Sequence, residues 1–290
     1  MHEIVCMGTT KEISALLNLI DDPDEEVFGA VSARIVDYGS TIIPTLEHWW
    51  ETIPSEQVQT RIEGLIHRLQ LRDLKRNFTD WKEAARHELL SGALLVSTFQ
   101  YPDLATTPVI TDTERLRRNI WLELNNYLTP LEQVNVFNNI LYGYFGLKTI
   151  PRDECKTEDH LIHKVISSKK GSQTGNGLLY LILSELLDLP ISAVQLPDQF
   201  LLAYFKSTQE NSIDRAAFFI DPSGGQIYTH RDIETYFKRI KEPLEQHYLM
   251  PRSNIETIAN VLEELSKSFD TGKEGYKTVE CMELVNYLKS

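Results

Sequence analysis

The sequence predicts a mainly helical α+β protein, and three observations carry that expectation. First, Leu178, Leu179, Leu181, Ile182, Leu183, Leu186 and Leu187 make a helix that is apolar nearly all round, which has to lie inside a core. Second, the runs ISAVQL, QFLLAYFK and RAAFFID follow Pro190 and have the length and residue types of short strands, punctuated by Pro197-Asp198 and by the turn sequence PSGG. Third, the chain on both sides of this stretch repeats apolar residues at helical spacing.

Taken in order, Ile13, Leu16, Leu17 and Ile20 mark a first helix, which DDPDEE closes while supplying acidic residues for the first turn of the next. Val27, Val31, Ile35 and Tyr38 form the second stripe, ended by Gly39, and STIIPTLEHWW starts a third helix. A helix pair with an Asp-Pro turn and an Ile-Ile-Pro entry looks like one HEAT-type unit. Val58 to Leu69 gives a longer helix, and Phe78, Trp81, Leu89, Leu90, Leu94 and Leu95 continue the helical pattern to Phe99, where Tyr101-Pro102-Asp103 breaks it. Leu116, Ile120, Leu124 and Tyr127 mark another helix. Thr129, Pro130 and Glu132 then form a capping-box start for the stripe Val134, Phe137, Leu141, Tyr144 and Phe145, with Gly146 as its stop.

A short helix from Asp159 to Ser168 leads to GSQTGNG, where Thr174 or Asn176 is the expected N-cap of the apolar helix. Beyond His230 the chain is helical again. The tail carries two stripes, Ile255 to Leu265 and Val279 to Leu288, that resemble a tetratricopeptide-type hairpin. Trp49, Trp50, Trp81 and Trp121 fall in helical stripes and are expected in packing roles; neighbouring Trp49 and Trp50 point about 100° apart and cannot both face fully inward, which leaves one of them open to exposure, with burial the stronger expectation.

Composition narrows the function. A net charge of −13, from 42 acidic against 29 basic residues, argues against a nucleic-acid partner, because phosphate binding rests on Lys and Arg. The three cysteines Cys6, Cys155 and Cys281 are odd in number and widely spaced, which argues against a disulfide framework and for a reducing, cytoplasmic setting. No run approaches the ~18 apolar residues of a membrane span, and no exported leader is expected. No cofactor is expected either.

The order of LLNLIDDPDEEVFGAVSARIVDYG, TPLEQVNVFNNILYGYFG, KKG before a Leu-rich helix ending LDLP, LPDQFLLAYF and FIDPSGG, closed by a helical hairpin, resembles the bacterial SirB family of transglutaminase-like proteins. The resemblance runs from about Ile13 to Leu288. It implies a transglutaminase-like (papain-like) core with a small antiparallel sheet over residues 101–240, an N-terminal helical region over 1–100 and a C-terminal helical hairpin over 241–290. It also implies positions for a catalytic Cys at the start of the central helix, a His on the next strand and an Asp on the strand after that. Carried over by position, the Cys falls on or beside Gln173, with Ser172 and Thr174 as the alternatives for that slot, the His on Gln199 and the Asp on Asp221.

Only Asp221 matches that pattern. A carboxamide has no nitrogen that accepts a proton near neutral pH, so Gln199 cannot activate a thiol or hydroxyl. Gln199 is placed instead to hydrogen-bond Asp221 across adjacent strands and keep the former site as a polar plug, and Asp221 also suits the turn that follows it. Ser172, Thr174 and Asn176 are capping residues that, with the free helix N–H groups, form a candidate anion-binding loop. The expected function is a protein-binding or regulatory module with an unnamed protein partner. The enzyme alternative uses Cys155 or Ser172 with a histidine from elsewhere, His160 or His230, for acyl transfer or amide hydrolysis; a third reading places a peptide or small molecule in the vestigial cleft. Cys155, His160 and His163 suggest a metal at first sight, but their spacing matches no zinc pattern, and no metal is expected.

Overall fold

The structure, a computed structural model, describes residues 12–205, 216–269, 272 and 274–290; Cys6 lies outside them. The chain divides into two compact units, one up to Thr79 and one from Asp80 to Ser290.

The first unit is helical: α1 (12–18), α2 (Glu25–Asp37), α3 (Ile43–Thr52) and most of α4 (Glu56–Glu83). Asp24 caps α2 by accepting the Glu26 N–H, and Glu25 and Glu26 place negative charge at that helix's positive end. Leu17, Ile20, Val31, Ile35, Leu46, Ile62 and their neighbours close one apolar core. Trp49 packs against it while Trp50 is 37% exposed and donates from Nε1 to Glu63 Oε1 at 3.0 Å.

The second unit is mainly helical with small sheets. Its helices are α5 (Leu89–Gln100), α6 (Thr106–Glu123), α7 (Pro130–Asn138), α8 (Ile162–Ser168), α9 (Gln173–Leu186), α10 (His230–Ile240), α11 (Asn254–Lys267) and α12 (Gly275–Lys289). The capping box at Thr129 and Glu132 forms as the sequence requires, with Pro130 opening α7, and a π-helical turn, Asn139–Tyr144, extends it. β1 (Lys148–Thr149) pairs in parallel with β2 (Lys170–Gly171). β3 (Ile191–Leu196), β4 (Gln199–Phe205), β5 (Ala216–Asp221) and β6 (Gln226–Tyr228) form an antiparallel meander in that order.

α9 is the centre of this unit, buried without interruption from Thr174 to Ser184. It packs on β3 and β4, whose other face meets α10 through Val194, Leu196, Leu201, Ala203, Phe219, Ile233 and Phe237. That two-sided covering explains why β4 is apolar from Phe200 to Phe205 instead of alternating. Gly177 permits the close approach of helix to sheet: a Cβ there would stand 2.5 Å from Phe200 Cε1.

Local expectations change at several points, Tyr144 and Val279 being 79% and 59% exposed and the helix expected over Asp159–Ser168 starting only at Ile162 after a 3-10 turn, Thr157–His160. α9 is capped by Ser172, two residues before Thr174, because the Ser172 N–H is held by Asp159 O at 2.8 Å and its Oγ accepts the Gly175 N–H at 3.0 Å. α6 stops at Glu123, and Tyr127 is 96% exposed in a turn where Asn125 Oδ1 accepts the Tyr127 N–H. Trp121 is 59% exposed: the buried stripe of α6 is Val109, Thr113, Leu116 and Ile120, and Trp121 sits one residue, about 100°, off it. Among the described residues no helix is long and apolar enough to cross a membrane.

Candidate functional site

The N-terminus of α9, the start of β4, the end of β5 and one face of α11 surround a cleft of about 650 Å3. Its lining is rich in amides and hydroxyls, with few apolar side chains.

Gln199 is the first residue of β4 and Asp221 the last of β5, and the pairing of Leu202 with Ile220 brings these strand ends together. Gln173, at the first turn of α9, reaches both: its Nε2 lies 3.4 Å from Gln199 Oε1 and 3.2 Å from Asp221 Oδ1. The link between the strands therefore runs through Gln173 and is not a direct Gln199–Asp221 bond. Asp221 Oδ1 also accepts the Ser223 N–H at 2.8 Å, so the same carboxylate organises the turn after β5. Thr149 and Tyr142 hold that turn from outside, donating to Ser223 O and Pro222 O.

Beside this network, Ser172 Oγ lies 3.0 Å from His160 Nδ1. Both residues are almost sealed, 4% and 6% exposed, yet both line the cleft. Burial lowers the pKa of His160, against the opposing pull of Glu264 and Asp159, so its ring is neutral near pH 7. Gly175 makes room for the Asp159 carbonyl, which a Cβ would approach to 2.4 Å.

The other sequence candidates separate. Cys155 lines the cleft, but its Sγ donates to Ile150 O at 3.5 Å, and burial, with Asp159, Asp153 and Glu264 nearby, raises its pKa. His163 packs edge-on against Tyr101, with ring centroids 5.0 Å apart, and burial pushes its pKa down to about 4. His230 opens α10, where Nε2 contacts Ala216 O at 2.8 Å, outside the cleft lining. Thr174 lines the cleft, whereas Asn176 faces β1, donating to Thr149 Oγ1 at 2.7 Å and Lys148 O at 3.3 Å. Among the described residues no group of three or more His, Cys, Asp or Glu is placed to hold a metal ion.

The wall supplied by α11 was not anticipated. Asn260, Glu264 and Lys267 line the cleft, with Lys267 Nζ 2.7 Å from Glu264 Oε1. Their spacing of four and three residues is a polar helical stripe, a signal overshadowed by the stronger apolar stripe of the same helix. The Asn260 Nδ2 atom is sealed from water and meets no acceptor.

Comparison with known proteins adds to this geometry. A family model described as the transglutaminase-like superfamily matches residues 108–263, more than half of the chain. Protein SirB1 of Salmonella typhimurium is 27% identical over 184 residues, covering 62% of this chain and 66% of that protein. The UPF0162 protein YchA of Escherichia coli strain K12 is 26% identical over the same length and coverage. A UPF0162 protein of Vibrio cholerae is 22% identical over 157 residues, 54% of this chain and 56% of its own. The chain thus spans just under two thirds of the length of the first of these relatives. No solved structure matches.

Proposed function

Since this chain belongs to the transglutaminase-like superfamily, with the SirB1 proteins among its relatives, we propose that it has given up acyl transfer and acts in the cytoplasm as a protein-binding or regulatory module. The observation that carries this reading is the Gln173 amide, 3.4 Å from Gln199 Oε1 and 3.2 Å from Asp221 Oδ1. These are the positions where the resemblance puts a thiol, an imidazole and an acid. A carboxamide neither attacks a carbonyl carbon nor takes a proton at neutral pH, so the arrangement keeps the hydrogen bonds of such a site without its reactivity. The open cleft beside it is the contact surface in this reading.

The contact between Ser172 and His160 favours a second reading, amide hydrolysis or acyl transfer on Ser172. Against it, the Ser172 oxygen already caps α9 and the residue is 4% exposed, so an incoming carbonyl has little access.

Incubation with a fluorescent primary amine and a glutamine-rich acceptor protein tests both. No incorporation or ammonia release above a heat-denatured control is expected. Turnover that Ser172→Ala abolishes and Gln173→Ala leaves intact would replace the first reading with the second.

A further inference from the structure

The small parallel ladder carries two like charges side by side. Lys148 on β1 and Lys170 on β2 are register partners, so their side chains leave the same face of the pair from backbones about 4.8 Å apart. That face is the outer one, because the next position on each strand turns inward. Thr149 Oγ1 accepts from Asn176 Nδ2 at 2.7 Å, and a Cβ on Gly171 would stand 2.6 Å from Asn176 Oδ1 and 2.9 Å from Val165 Cγ2. Lys148 and Lys170 are both exposed.

Lys169 brings a third charge to the same corner. It ends α8 in the left-handed region, with φ 57°, and its Nζ lies 5.1 Å from the centre of the Phe145 ring. Tyr144, the residue before Phe145, is 79% exposed at the border of this patch. Main-chain bonds fix the spacing: the Lys148 N–H donates to Lys169 O at 3.0 Å, the Ile150 N–H to Gly171 O at 2.8 Å and the Lys170 N–H to Ser168 Oγ at 3.1 Å.

Nearby Lys164 is paired with Glu158 at 3.3 Å, whereas Lys148, Lys169 and Lys170 have no carboxylate partner among the described residues. Like charges set opposite one another on a ladder repel, and an anion between them relieves the repulsion. The net charge of −13 does not cancel this corner, since at physiological ionic strength a charge is screened over about 8 Å. It does oppose a long polyanion such as a nucleic acid, which would run past the three lysines onto the acidic remainder. A short run of carboxylates meets only the lysines, and a neighbouring apolar side chain of the same run can lie on the Tyr144 ring.

We infer that the outer face of the β1–β2 ladder docks an acidic segment of a partner protein, with its carboxylates on Lys148, Lys169 and Lys170. This rests on the reading of the chain as a protein-binding module, and it adds a surface outside the cleft together with the chemistry of the partner.

Fluorescence anisotropy of a labelled hexaglutamate peptide with the full chain tests this, with phosphatidylserine vesicles and a single-stranded oligonucleotide as the other occupants. Saturable binding of the peptide is expected, weakened at least about threefold as salt rises from about 50 to about 300 mM. Lys170→Glu should weaken it at least about fivefold, because one attraction is replaced by a repulsion. Lys238→Glu, the same change of charge at an exposed position of α10, should change it less than about twofold. The pair Lys148→Gln and Lys170→Gln, which adds no repulsion, should also lose affinity, so the test survives if the reversal fails to fold. No binding of the peptide, equal losses from Lys170→Glu and Lys238→Glu, or tighter binding of the vesicles or the oligonucleotide would overturn the inference. The absence of catalysis is judged separately by the amine-incorporation assay, so the two ideas fail by different results.

Discussion

Gln173 reaches across 48 positions of sequence to Asp221, its Nε2 standing 3.2 Å from Oδ1, while the same nitrogen lies 3.4 Å from Gln199. An amide bridging the ends of two strands from a helix N-terminus puts positions 199 and 221 within reach of one side chain at position 173.

Restoring the reactive groups should therefore restore reactivity. In a Cys155→Ser background, the pair Gln173→Cys and Gln199→His should be alkylated by iodoacetamide at pH 7 at least about tenfold faster than Gln173→Cys alone, because a neighbouring imidazole and the helix N-terminus stabilise the thiolate. Rates come from mass spectrometry of the intact chain. Equal rates would show that positions 173 and 199 are not in nucleophile and base register.

Cys155 should behave as an ordinary or sluggish thiol. Burial and the nearby carboxylates of Asp159, Asp153 and Glu264 raise its pKa, so thiolate forms only as the pH rises past the usual thiol range. Alkylation below pH 8 should be no faster than that of a small model thiol, and faster labelling would favour an active cysteine.

Gly177→Ala tests the helix–sheet contact. The added methyl meets Phe200 Cε1 at 2.5 Å and Pro222 Cγ at 3.2 Å, so the ring has to leave its position. Urea denaturation should show a loss of about 1–3 kcal/mol, the usual range for overpacking a core. Phe200→Leu in the same chain should recover part of it, because the clash is with the ring.

Acid should destabilise the fold through its buried histidines. His160, facing Asp159, Glu264 and Lys267, and His163, facing Lys164 and Glu158, both have lowered pKa values, the latter about 4. The unfolded chain then binds more protons than the folded one below the ordinary histidine value near 6.5, so their stabilisation is complete above that pH and is lost as the pH falls towards the folded values. Denaturation midpoints should drop between pH 7 and pH 4.5, and His163→Gln should flatten the lower part of that drop. An unchanged slope would mean that His163 is solvated.

The local chemistry of the core was readable in order. Leu178 to Leu187 specify α9 because an all-round apolar helix has no stable place outside a core, and Thr129, Pro130 and Glu132 specify the start of α7 through groups three residues apart. The strands after Pro190 were legible from residue type and turn punctuation. Trp121 was not, because a stripe shows that a helix has a buried face but not how far around it the cover extends.

The sequence by itself determined that Gln173, Gln199 and Asp221 are two carboxamides and a carboxylate, since residue identity needs no coordinates, while their matching to a Cys, a His and an Asp comes from the family resemblance. Only the tertiary structure decided what those amides touch, that Ser172 caps α9 against His160, and that Asn260, Glu264 and Lys267 complete the cleft. The physical reason is range. Caps, turns and apolar periodicity are settled within about four residues along the chain, whereas the polar contacts of the cleft depend on packing that brings together segments tens of residues apart.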